Sequence, residues 1–103
     1  MTNKDDILLT TQLIKKDFLL DEELPETALT IEDLKKQLVP IINYLLDKDM
    51  SRLLNALYRI DVSEQKVKKV LAAGNPETLA SDIAQMILER EMQKVITRRK
   101  YGG

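Results

Sequence analysis

The sequence predicts an all-α chain: a compact four- or five-helix bundle closed by a long C-terminal helix. Three features carry that expectation. Aliphatic residues recur at helical spacing in successive blocks. Capping residues stand in front of most of those blocks. Only three Gly and three Pro interrupt 103 residues, too few for an all-β or a disordered chain. The length suits one domain over residues 1–103. Its core must be aliphatic, because Phe18, Tyr44, Tyr58 and Tyr101 are the only aromatics.

The first helix is expected over about residues 4–20. Ile7, Ile14 and Phe18 share one face, and Leu9, Leu13 and Leu20 lie near the opposite one. A helix with two apolar faces is expected to be sandwiched between neighbours. A strand over residues 7–11 is the competing reading and has no evident partner strand. Residues 21–29 read as an acidic linker, with Pro25 opposing helix.

Thr30 is the clearest helix start. Its hydroxyl can accept from the amide three residues on, and Asp33 holds the acidic position of a capping box. Leu29 and Leu34 occupy the staple positions around that cap. Ile31, Leu34, Leu38, Ile41, Ile42, Leu45 and Leu46 then form one continuous stripe. Pro40 lies nearly opposite it, so the expectation is a bent helix over about 31–47, or two short helices with Pro40 opening the second. Asp47 or Asp49 caps a short helix over about 50–60, whose apolar stripe is Met50, Leu53, Leu54, Leu57 and Ile60. Ser63 caps the next, with Val62 and Val67 in staple positions, and Gly74 stops it. Asn75-Pro76-Glu77 opens the last helix, over about 76–100. Arg98, Arg99 and Lys100 suit its negative end.

That last helix has a second expected property. Leu79, Ile83, Met86 and Ile87 share one face; Ala84, Leu88, Met92 and Val95 share another, rotated by roughly 140° on an ideal wheel. One neighbour cannot cover both. The C-terminal half is expected to meet either the first helix of the chain or a second subunit.

Composition excludes several chemistries. The chain has no Cys, so disulfides, thiolate zinc sites and thiol nucleophiles are absent. It has no His, so imidazole bases and ligands are absent too. No glycine cluster cradles a phosphate. Asp47, Asp49 and Ser51 begin like a calcium loop, but Arg52 stands where glycine is required and Tyr58 where the loop needs glutamate. Glu89 and Glu91 are two apart and do not pair with each other. The expectation is therefore a protein that is not an enzyme, with no metal and no cofactor, although folding could still assemble separated carboxylates. The polar N-terminus shows no secretory signal, and no apolar run is long enough to cross a bilayer. A cytoplasmic setting without membrane contact is expected.

Charge is uneven along the chain. Residues 1–33 carry net −6, residues 34–63 net +2 and residues 64–103 net +3. Such asymmetry can steer oppositely charged ends together, within one molecule or between two. The leading expectation is a small interaction or regulatory domain that self-associates as a homodimer, or binds another protein, through its terminal helices. Leu88, Met92, Val95 and Ile96 would form the apolar contact strip, with Arg98 and Arg99 at its charged rim and Leu9 and Leu13 extending it. The alternative is nucleic-acid or other polyanion binding. There Lys94, Arg98, Arg99 and Lys100 would neutralise phosphates and Tyr101 would stack on a base. The helix pair around Gly74 also invites comparison with helix-turn-helix readers. Glu77 and Asp82 would repel phosphates there, which favours ordinary helix packing.

Residues 51–64, Ser-Arg-Leu-Leu-Asn-Ala-Leu-Tyr-Arg-Ile-Asp-Val-Ser-Glu, with residues 87–91, Ile-Leu-Glu-Arg-Glu, resemble small all-helical bacterial proteins without an assigned activity. The resemblance covers the C-terminal half. It implies a bacterial cytosolic setting and carries over no functional residue.

Overall fold

Among the described residues five helices appear, in the order α1 (Lys4–Phe18), α2 (Ile31–Lys48), α3 (Met50–Ile60), α4 (Glu64–Ala73) and α5 (Leu79–Tyr101). They are seen in a computed structural model that describes residues 4–20 and 24–101, with side chains to Arg98. No strand occurs among the described residues, so the strand alternative for residues 7–11 is set aside.

Most caps act as their residue types require. The Thr30 hydroxyl accepts from the Asp33 amide at 3.0 Å. Asp33 reaches back to the Leu29 amide at 3.3 Å, one residue before the usual capping-box partner. Leu34 is buried, but Leu29 is 62% exposed, so the expected staple does not close. Asp49 is the whole connection between α2 and α3. Its amide donates to Leu45, and its carboxylate accepts from the Arg52 amide at 3.1 Å. Ser63 caps α4, and Gly74 ends it at φ 62°, where a side chain would be strained.

Two helices end on a left-handed residue that is not glycine. Leu19, after α1, and Asp61, after α3, both have positive φ. At each, the two residues that follow the helix donate back into its last turn. Leu19 donates to Lys16 and Leu20 to Lys15; Asp61 donates to Tyr58 and Val62 to Leu57. This is the Schellman arrangement, usually built on glycine. The reversal at Leu19 shortens the first helix to Phe18 and turns Leu20 inward, where it is buried. Leu24, within the expected acidic linker, is fully buried as well; residues 21–23 of that linker lie outside the described residues.

Pro40 does not divide α2, which runs unbroken through it. Pro40 and Lys36 are both exposed, so water can satisfy the carbonyl that the proline ring frees. The last helix starts at Leu79 and not at Pro76. The Asn75 carbonyl accepts from both Thr78 and Leu79, so a tight turn precedes the regular α-helical pairing.

The core draws on every helix. Ile14 and Phe18 of α1, Leu38 and Ile42 of α2, Leu53 of α3, Val67 of α4 and Ile83 and Ile87 of α5 belong to one buried cluster. The α5 helix packs against all four others, most extensively against α2 and α1. This arrangement answers the two-face problem. The buried positions Ala80, Ile83, Ala84, Ile87, Leu88 and Val95 make one broad stripe, shared among neighbours from the same chain. The first helix is not sandwiched. Ile7, Ile14 and Phe18 are buried, Leu13 is half-buried and Leu9 is 47% exposed. Two buried threonines sit on the same inward face, and each donates to a carbonyl four residues back: Thr10 to Asp6 at 2.7 Å and Thr11 to Ile7 at 2.8 Å.

No helix among the described residues is long and apolar enough to cross a membrane.

Candidate functional site

The expected contact strip divides in the fold. Leu88 and Val95 are buried within the chain, because α1 and α2 lie against α5. They are therefore not free surface, which corrects the expectation for these two residues. Met92 is half-buried and Ile96 is 46% exposed. Both line a groove of about 460 Å³ between the start of α2 and the second half of α5. Ile31 and Leu88 form its apolar floor, and Gln85, Glu89, Gln93 and Thr97 its polar margin. A second depression of about 420 Å³ continues from Ile31 past Leu29 and Thr30 to Ile7 and Glu32. The open Leu29 staple is thus part of one apolar surface with Met92 and Ile96. Leu9 and Leu13 line neither depression. Arg98 is exposed; Arg99 falls outside the described side chains.

A second apolar groove, of about 420 Å³, opens between α3 and α4. Leu54, Leu57 and Tyr58 form one wall and Val67 and Leu71 the other, with Val62 at the turn. Tyr58 is 82% exposed. The staple pair Val62 and Val67 both line this groove.

The basic C-terminal end is not simply a free cationic patch. Lys94 is half-buried, and its ammonium lies 3.9 Å from the Glu91 carboxyl. Arg98 also acts on Glu91. Lys100 and Tyr101, like Arg99, lie outside the described side chains.

Glu91 is the most unusual polar group in the fold. It has no exposed surface, and neither carboxylate oxygen finds a hydrogen-bond donor. The Asp17 carboxyl of α1 stands beside it. Two facing carboxyls bond only if one keeps its proton. Burial first, then the neighbouring Asp17 carboxyl, push the Glu91 carboxyl up to about 8, against smaller opposing pulls from Lys94 and Arg98. Burial thus favours the neutral form of Glu91 at neutral pH. Glu91 itself is closed to solvent, while Asp17 is half-buried. Among the described residues, no group of three acidic side chains could hold a metal ion.

Two arginines of α3 have a role that local pattern did not reveal. Arg52 donates to the Phe18 carbonyl at 3.1 Å and the Leu19 carbonyl at 2.7 Å. Arg59 donates to the Asp17 carbonyl at 3.1 Å. Both place positive charge at the negative end of α1 and satisfy carbonyls left open there. Neither can be assigned from sequence, because partners 34 and 42 residues away are unknown until the chain folds. Glu91 did carry a signal: it lies four residues from Ile87 and four from Val95, in the middle of the buried stripe.

Compared with protein-family models, curated proteins and solved structures, the chain has no significant match.

Proposed function

We propose that this chain is a small non-catalytic interaction domain that self-associates through the groove between α2 and α5. The observation that supports the reading is the joining of Leu29, Ile31, Met92 and Ile96, none of them buried, into one apolar surface. Charge favours a second copy as the occupant. The α2 side of the groove belongs to the acidic third of the chain and includes Glu32; the far end of α5 carries exposed Arg98. A two-fold interface sets each patch against its counterpart, so the acidic side of one copy meets the basic end of the other.

The surface is small. Stable interfaces bury about 800 Å² per partner, and a groove with a handful of apolar groups supplies less. Association is therefore weak, with a dissociation constant in the micromolar range or above. Light scattering across concentration tests it. The mass should rise with concentration for the natural chain and stay monomeric for Ile96→Asp. A natural chain that remains monomeric at millimolar concentration overturns the proposal.

A further inference from the structure

We infer that the hydrophobic staple left open at the start of α2 closes between copies: Leu29 of each copy seats in the groove of the other, against Met92 and Ile96. The inference rests on the proposed self-association and names its anchor. Within one chain the usual staple partner of Leu29, Leu34, is fully buried in the core. Ala28, one residue earlier, packs against that core instead. The Asp33 carboxylate accepts from the Leu29 amide at 3.3 Å, which holds the backbone while the side chain stays 62% exposed. A leucine held in this way is a preformed anchor, because little backbone freedom remains to be lost when it is covered.

Anchor and groove lie on one surface. Ile31 lines both the depression beside Leu29 and the groove between α2 and α5. Of the large exposed apolar side chains among the described residues, Leu29 and Ile96 line these joined depressions, whereas Leu54 and Tyr58 line the groove between α3 and α4. A two-fold axis near Ile31 carries the Leu29 side of each copy onto the Met92 and Ile96 side of the other, so the contact is made twice. Charge favours this register. Glu32, exposed beside Leu29, then approaches the end of α5 in the other copy, where residues 98–100 are Arg-Arg-Lys. Glu89, the one acid lining the groove, stands two helical turns before Ile96, about 10 Å along the axis, and accepts from Gln85 at 3.0 Å.

The natural chain has no cysteine, so single introduced cysteines report contacts between copies. Leu29→Cys and Gln93→Cys chains are mixed in equal amounts and mildly oxidised, Gln93 being an exposed residue of the groove margin. The mixed disulfide dimer should exceed both self-linked dimers, and the excess should vanish when both chains also carry Ile96→Asp. In sedimentation equilibrium, Leu29→Ala should weaken self-association at least about tenfold. Its melting temperature should match that of the natural chain, because Leu29 is exposed in the single copy; the cross-link decides if it does not. Association of Leu29→Ala equal to that of the natural chain, or a mixed product no more abundant than the self-linked ones, overturns the shared staple and leaves self-association standing. A natural chain that stays monomeric at millimolar concentration overturns both.

Discussion

Glutamine in place of Glu91 should stabilise the fold at neutral pH, and the gain should grow with pH. In the unfolded chain Glu91 ionises with its ordinary value of 4.5; in the fold it holds its proton up to about 8. The folded state therefore binds the extra proton between these two values. A group whose folded pKa is raised contributes its full stability below 4.5 and loses it progressively as pH rises through about 8. At pH 7, the proton taken up on folding costs about 3 kcal/mol; above pH 8 the loss reaches about 5 kcal/mol at most. Glutamine does not titrate and so carries no such cost. Against a typical domain stability of about 5–15 kcal/mol, the difference is large. At pH 7 it corresponds to a melting temperature higher by at least about 10 °C for a domain of this size. Urea and thermal unfolding followed by helical circular dichroism, from pH 4.5 to pH 9, measure it directly. The two proteins should converge at the acid end and separate steadily above it. Parallel stability curves over that range would refute a proton held by buried Glu91 in the fold.

Leu19→Gly should raise stability by about 1 kcal/mol, because Leu19 holds a left-handed conformation while 64% exposed and loses little burial on replacement; a lower melting temperature would contradict it. Arg52→Ala should cost about 2 kcal/mol in urea unfolding by removing two charge-assisted bonds to the end of α1, and Arg52→Lys should restore less than half, lacking the planar fork. Thr30→Ala should cost about 1 kcal/mol through loss of the bond to Asp33, with Thr30→Ser nearly neutral.

Much of the fold was legible where the determining contacts are local. Thr30, Asp49, Ser63 and Gly74 act within a few residues of themselves, and each marks its boundary in the structure. The stripe of α2 could be read because Leu34, Leu38, Ile42 and Leu45 repeat without interruption and all four are buried. Ends fixed by distant partners could not be read. Leucine has no preference for the conformation it adopts at position 19, and the arginines that complete the end of α1 come from α3. The two-sided apolar pattern of α5 was legible, but its cover was not. A pattern records that Leu88 and Val95 must be buried; it does not record whether the burying helix belongs to the same chain. Here the cover is internal, which leaves Met92 and Ile96 as the part of the expected strip still on the surface. Leu29 joined them only because a staple drawn from spacing alone failed to close.

Sedimentation equilibrium on the natural chain beside Ile96→Asp, from micromolar to millimolar concentration, bears most directly on the claim that this is an assembly domain. The account predicts a mass that climbs toward twice 11.8 kDa for the natural chain and stays at 11.8 kDa for a variant with unchanged helical content. Two superimposable monomer profiles would contradict it.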